Sequence, residues 1–390
     1  MPPDDKLRLG VLGLGLAGSF MLTAIRRHPG VVIAAAADRH EALRAAFGRD
    51  FNAPAYDSAE ALAADPGVDA IYVATPHQMH RDHAILAARR GKHVIVEKPM
   101  ALRLEDCDAM IAAAAEANVA LVVGHSHSFD PNVVELARLV AGGALGRLAM
   151  VNMWQYNDFL YRPRRPEELD TAQGGGIVFN QLPHQIDTAR LIAASRVRSV
   201  RAHTSVLDPE RPTEGACIVF LDFESGAAAS LVYSGYDHFD SDEFHHWIGE
   251  GGAPKAPGHG RTRKALRAAV RDTPEAALKS ARYGYGSALW QGAVATAHQP
   301  HFGVLIASCE KADLKPSADG ILIYGDDGVR EHPLPATEGF GHGNVVGELM
   351  QGMRSGQPPV HDGRWGRHTL EICLAILRSA HERREIALGA

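Results

Sequence analysis

The chain has 390 residues, 46% hydrophobic and 22% charged, which is ordinary for a globular protein and enough for two cores. A net charge of -6 argues against a nucleic-acid partner, because no basic excess is present to neutralise phosphates. No apolar run is long enough to span a membrane.

The opening, MPPDDKLRLG, is acidic, lacks a long apolar core and does not read as a signal peptide. Cys107, Cys217, Cys309 and Cys373 are widely spaced and suit reduced thiols in a cytoplasm better than disulfides or zinc. Leu7, Leu9, Val11 and Leu12 then read as a short buried strand. Gly13, Gly15 and Gly18 follow as G-x-G-x-x-G. The first glycine permits a tight turn, the second lets backbone approach a pyrophosphate, and the third lets the next helix pack on the strand. That helix is expected over 16 to about 27, and its first N–H groups, around Leu16 and Ala17, face the phosphates. A second apolar run over 31–37 ends in Asp38, twenty residues after Gly18, where a carboxylate accepts hydrogen bonds from an adenosine ribose. Strand, turn, helix, strand and acid in that order set the motif apart from a chance glycine turn. Asp38 favours NAD, since it repels a 2′-phosphate; neighbouring Arg39 keeps NADP as a second option.

Strand and helix signals alternate to about residue 124. Helices are expected over 40–47, over 58–64 with Ser58 as N-cap, and over 78–90 ended by Gly91. Leu104, Cys107, Met110, Ile111 and Ala114 form another helical stripe, and strands are expected over 70–74, 93–96 and 119–123. This implies an α/β, doubly wound parallel sheet with its ligand at the carboxyl ends of the strands. Thr75, Pro76, His77, Glu97 and Lys98 follow strand ends and are expected to face the dinucleotide.

After Gly124 the pattern changes. A helix over 131–140 closes at Gly142-Gly143. β-like runs follow over 148–156, 199–207, 216–223, 227–233, 303–306 and 321–324, with late helices over 344–354 and 365–383. This implies an α+β domain on an open, mainly antiparallel sheet. The expected division is a dinucleotide-binding domain over 1–126 and a substrate-binding and oligomerisation domain over 127–390. Residues 251–300, rich in Gly, Pro, Ala and basic residues, read as an insertion, partly helical over 263–282, acting as a mobile lid or a subunit contact.

Three groups carry chemistry. Lys98 follows a buried strand and precedes a proline; a cis Lys98–Pro99 bond would aim its ammonium away from the strand axis. Beside a nicotinamide it would bind a substrate hydroxyl and favour the alkoxide; the plainer reading is a salt bridge with Glu97. His184 follows Gly174-Gly175-Gly176, and imidazole is the usual group for removing a hydroxyl proton as hydride leaves the same carbon. Asn180, one turn earlier, shares its helical face, and Asp187 at i+3 can orient the ring; the plainer reading is a satisfied core histidine. Arg162, Arg164 and Arg165, kept extended by prolines, can clamp carboxylates bidentately or simply pair with Glu167 and Glu168 in a solvated loop. His77, His80 and His83 recur at helix spacing and His125/His127 and His245/His246 are close pairs, but without HExxH or a cysteine cluster no metal site is expected.

GLGLAG at 13–18, ATPHQMH at 74–80, GKHVIVEKPMA at 91–101 and GGG…H..D at 174–187 resemble the glucose–fructose oxidoreductase / inositol dehydrogenase / MocA family along most of the chain. The resemblance implies a Rossmann domain followed by an α/β domain whose open antiparallel sheet builds homodimers or homotetramers. It also implies hydride transfer between a carbinol and nicotinamide. Lys98 matches the lysine that contacts the reacting hydroxyl, and His184 the general base. Thr75, Pro76, His80 and Glu97 would help Gly13, Gly15, Gly18 and Asp38 hold the dinucleotide. Asn180 stands where the family usually has aspartate, and His77 where it has asparagine. YRPRRPEEL, RPTEGA, YSGYDHFDSDE and HDGRW look like the branch containing phthalate 4,5-cis-dihydrodiol dehydrogenases. That implies an anionic cis-diol substrate, with the arginines, or His127 and Tyr156, holding its acid groups. A sugar or inositol dehydrogenase is the alternative within the family, and a non-catalytic NAD-binding sensor the alternative outside it.

Overall fold

The computed structural model describes residues 6–26, 28–282, 284–286, 296–336 and 341–389. They form two compact units: 1–125 with 280–293 and 342–370, and 126–279 with 294–341 and 371–390. Two late stretches, expected with the second domain, thus gather with the first.

The first unit runs β1 (Leu7–Leu12), α1 (Leu16–Ile25), β2 (Val31–Ala37), α2 (Glu41–Phe51), β3 (Ala55–Tyr56), α3 (Ala59–Ala64), β4 (Ala70–Val73), α4 (His80–Arg89), β5 (His93–Glu97), α5 (Leu104–Glu116) and β6 (Leu121–Gly124). The strands form one parallel sheet in the order β3-β2-β1-β4-β5-β6. Every side chain of β4 is buried, as expected of a strand covered on both faces. The order reverses between β1 and β4, and a sheet of this kind binds its ligand where that reversal opens a crevice at the carboxyl ends. Helix α1 ends at Ile25; Arg27, near its expected end, lies outside the described residues. Residues of the late stretches close the far edge: His361 O accepts from Val123 N at 2.8 Å, and an added Cβ at Gly366 would sit 2.4 Å from Val123. Only glycine permits that approach, and periodicity alone does not reveal which sheet a late helix will cover.

The second unit contains α6 (Pro131–Ala141), β7 (Leu148–Tyr156), α7 (Gly176–Asn180), α8 (Leu182–Ala193), β8 (Val197–Ser205), β9 (Ala216–Phe223), β10 (Ala228–Ser234), α9 (Arg261–Ala269) and α10 (Glu275–Arg282), the last ending in the first unit's stretch. It continues through β11 (Val304–Cys309), β12 (Ala312–Pro316), β13 (Gly320–Gly325) and β14 (Gly328–Pro333). Helix α11 (His342–Ser355) belongs to the first unit. Helix α12 (Gly363–Glu382) starts there and ends in the second, before β15 (Ile386–Ala387). The nine strands order as β14-β13-β12-β11-β7-β10-β9-β8-β15, antiparallel except for the parallel pair β7–β10. The fold class is therefore as read. Strands β12 and β14 were not anticipated: β12 is interrupted by charge, and β14 (GVREHP) is an exposed edge with little apolar pattern.

Candidate functional site

In the first unit the candidate residues gather at the turn after β1. Gly13 has φ +100°, and an added Cβ would lie 2.8 Å from Ala74 O; at Gly18 it would lie 2.0 Å from Gly13 O. At Gly15 it would meet nothing within 4 Å. Two glycines are thus required by crowding and the middle one by an open side, the pattern of a turn that brings backbone to a pyrophosphate at a helix N-terminus. Leu16 is exposed beside it and Ala17 half-buried. Asp38 ends β2 and accepts from Leu14 N and His40 N, both at 2.8 Å, so its carboxylate is fixed beside the turn; Arg39 is exposed. These residues fit a dinucleotide.

The ends of β4 and β5 supply the rest of this face. Thr75 Oγ1 lies 3.0 Å from His83 Nδ1, Pro76 is exposed and His77 half-buried. His80 is fully buried, with Nε2 2.8 Å from Thr75 O and Nδ1 3.1 Å from Pro99 O. Burial pushes its imidazole down to about 4, so it is neutral at physiological pH and its one ring N–H donates to one of these two carbonyls at a time. Glu97 is buried, accepts from the Tyr72 hydroxyl and takes Lys98 N at 3.1 Å. Burial raises its pKa, with Lys98 pulling against the shift. Lys98 is half-buried at the end of β5, and the Lys98–Pro99 bond is cis.

A second group of candidate residues belongs to the other unit. The glycines before His184 are explained by the chain's own crowding: an added Cβ at Gly175 would meet Glu168 O at 2.6 Å, and at Gly176 the Thr213 hydroxyl at 2.2 Å. Asn180 and His184 do not share one continuous helix. Helix α7 stops at Asn180 and α8 begins at Leu182. The Asn180 amide donates to Gly174 O and Gly176 O, each at 2.8 Å, bonds that a carboxylate there would be unable to give. His184 is buried, its ring centroid 4.7 Å from that of His127 and 5.1 Å from that of Phe302. Asp187 is fully buried on the same helix. His127 Nδ1 is 2.9 Å from Asp130 Oδ2, so a histidine–aspartate pair stands against the His184 ring.

Around this pair is a polar network. The Tyr233 hydroxyl lies 2.8 Å from Asn157 Oδ1 and 2.9 Å from Gln181 Oε1, and donates to one of them at a time. Glu250 accepts from Gln155 at 2.8 Å and Asn157 at 3.0 Å. Burial works to raise the Glu250 pKa, but Arg162 and then His127 outweigh it and hold the carboxyl low. Arg162 donates to Asp158 at 2.7 Å and lies 3.8 Å from Glu250. Arg164 lies over the Phe159 ring and donates to Phe159 O at 2.6 Å, and exposed Arg165 pairs with Glu167 at 3.0 Å and Glu168 at 3.5 Å. Of the three arginines, only Arg162 belongs to the network. Tyr156, at the end of β7, takes Ser241 Oγ on its N–H and packs edge-on against Phe239. Sequence reading missed Asp130, Asn157, Gln181, Tyr233, Glu250 and Phe302. The spacing His127-x-x-Asp130 was a usable signal; the others are joined only by strand pairing.

Two family models match successive parts of the chain. A family model described as an oxidoreductase family with an NAD-binding Rossmann fold matches residues 7–125, and a GFO/IDH/MocA C-terminal domain model matches 133–253. The 1-carboxy-3-chloro-3,4-dihydroxycyclohexa-1,5-diene dehydrogenase of Comamonas testosteroni is 42% identical over 95% of this chain and 94% of its own length. The myo-inositol 2-dehydrogenase of Thermotoga maritima is 32% identical over 59% of this chain and 71% of its own. A crystal structure from Bordetella bronchiseptica RB50 is 47% identical, superposes with a TM-score of 0.94, and covers 98% of this chain and 100% of its own.

Proposed function

The chain belongs to the Gfo/Idh/MocA oxidoreductases as an NAD(P)-dependent dehydrogenase, and on that footing we propose that its substrate is a carboxylated cyclohexadiene cis-diol of the 4,5-dihydro-4,5-dihydroxyphthalate type. His184 removes the proton of one ring hydroxyl while the Lys98 ammonium stabilises the developing alkoxide. NAD, when bound, accepts the hydride from the same carbon. The resulting dienone tautomerises to a catechol, and aromatisation drives the step. His127, paired with Asp130, packs against the His184 ring, and Arg162 faces the acid groups, with His127 and Tyr156 as the alternative holders. Asp38 favours NAD, with NADP reached less well through Arg39.

The observation that carries this reading is the match over 95% of the chain to a dehydrogenase named for a carboxylated dihydroxycyclohexadiene, against 59% for the inositol enzyme. A steady-state panel tests it. Reduced-nicotinamide absorbance and catechol should rise with mono- or dicarboxylated cis-diols and not with inositols or aldoses. Turnover of polyols alone would favour the sugar or inositol reading, and no turnover of any of them by protein that binds NAD would favour a sensor.

Two further parts of the proposal rest on surface and thiols. Met150 and Trp154 of β7 and Ile218 and Phe220 of β9 are all more than 40% exposed, and strand register places them on one sheet face with Val232 between Trp154 and Ile218. An apolar face of this extent suits a second copy of the chain, giving a homodimer or homotetramer. The four cysteines are free, which suits a reducing cytoplasm, and no described helix is long and apolar enough to cross a membrane.

A further inference from the structure

Residues 254–303 lie beyond the matched C-terminal model and before β11. Their described parts are fastened in two different ways. From Lys255 to Lys279 the fastening is ionic and internal to the second unit: Lys255 meets Asp242 at 2.7 Å, both Arg211 nitrogens reach Glu275 at 2.7 and 2.9 Å, and Lys279 pairs with Glu168. Before the chain returns to the second unit at Val294, residues 280–293 belong to the first. There Tyr285 N–H donates to Leu14 O at 3.0 Å. Its ring is buried against Phe47 and Phe51 of α2, and its hydroxyl donates to Asp50. Gly284, with φ +109°, passes close enough to the turn that an added Cβ would lie 3.8 Å from Gly15 Cα.

Leu14 is therefore held from both sides. Its N–H goes to Asp38 and its carbonyl receives Tyr285. In a planar trans peptide the carbonyl and the following N–H point in opposite directions, so fixing Leu14 C=O also fixes where Gly15 N–H aims. Gly15 has no side chain to resist a peptide flip, so this bond is what sets that N–H.

We propose that Tyr285 is a positioning residue of the dinucleotide site, which holds the glycine turn in its phosphate-receiving shape and, with Gly284, forms a wall beside it. The ring anchored on α2 brings the donor to Leu14, so loss of the ring loosens the turn without touching the groups proposed for proton transfer.

NAD titration of protein fluorescence or heat reads this directly. Tyr285→Ala should weaken NAD by about tenfold, with the loss appearing in Kd and in KM for NAD rather than in kcat. Tyr285→Phe, which keeps the ring and the N–H, should recover most of the affinity. Wild-type affinity in Tyr285→Ala overturns the proposal. Should that variant not fold, amide exchange on the wild-type chain decides: NAD should slow exchange at 284–286 together with 13–18. Protection confined to 13–18 overturns it.

Discussion

The glycine turn of the first unit and the polar network of the second solve the same problem by opposite means. In the turn, side chains are kept out and recognition would be done by backbone: Gly13 and Gly18 are crowded, and Gly15 opens on empty space. In the network, side chains satisfy one another, Tyr233 with Asn157 and Gln181, Glu250 with Gln155, Asn157 and Arg162, and recognition would fall to them. A backbone site needs a short, fixed local sequence. A side-chain site needs convergence from distant strands, so it can be re-cut for a new substrate while the cofactor site stays unchanged.

The comparison can be broken first at its chemistry. His184→Ala should lower kcat by roughly a thousandfold at saturating NAD, and Lys98→Met by a similar factor, while NAD affinity measured by titration changes little in the histidine variant. Wild-type turnover in both variants would remove these two residues from the account.

The next effect concerns stability. Burial lowers the His80 pKa to about 4, whereas the unfolded imidazole titrates near 6.5. The unfolded state therefore binds the extra proton between those values. Stability is full above about pH 6.5 and is lost as pH falls toward 4, by as much as ~3 kcal/mol. His245, pushed by burial to about 3, adds a loss of the same sign in the second unit. Urea unfolding at about pH 7.5 and about pH 5 should show the drop, and His80→Gln should flatten it.

The backbone half can be probed alone. Gly15→Val fills the open side of the turn and should weaken NAD by roughly thirtyfold with the melting temperature nearly unchanged. The smallest effects sort the arginines. Arg162→Ala should raise substrate KM by about tenfold, Arg164→Ala by less, and exposed Arg165→Ala by under about twofold, in keeping with a surface ion pair. Unchanged KM in all three would move the acid groups to His127 and Tyr156.

The same contrast governs what the sequence reveals. The parallel sheet, the turn, Asp38 and the strand-end residues were legible because each follows from neighbours within about twenty positions. From Gly124 onward the pattern gave β7 to β11 and β13 of the nine-stranded sheet but not β12, β14 or β15, nor the break between Asn180 and Leu182, since nothing in FNQLPHQ signals that the chain turns there except Pro183 itself. Asn180 reads differently once its two carbonyl partners are seen: the amide closes the start of α7, so its identity has a local cause. The arginines looked alike in sequence and differ in space because Asp158 and Glu250 select Arg162, while Phe159 and Glu168 hold Arg164. The return of residues 280–293 and 342–370 to the first unit was invisible, since an amphipathic helix does not say whose surface it covers.

The central claim is direct hydride transfer from a ring carbinol of a carboxylated cis-diol. The measurement is a single turnover with substrate deuterated at both carbinol carbons, followed by mass and magnetic-resonance analysis of the nicotinamide. The account predicts one deuterium on the nicotinamide ring for each catechol formed. The second carbinol deuterium is lost to water as the dienone tautomerises, so catechol without deuterium on the nicotinamide, with both deuteriums released to water, would contradict it.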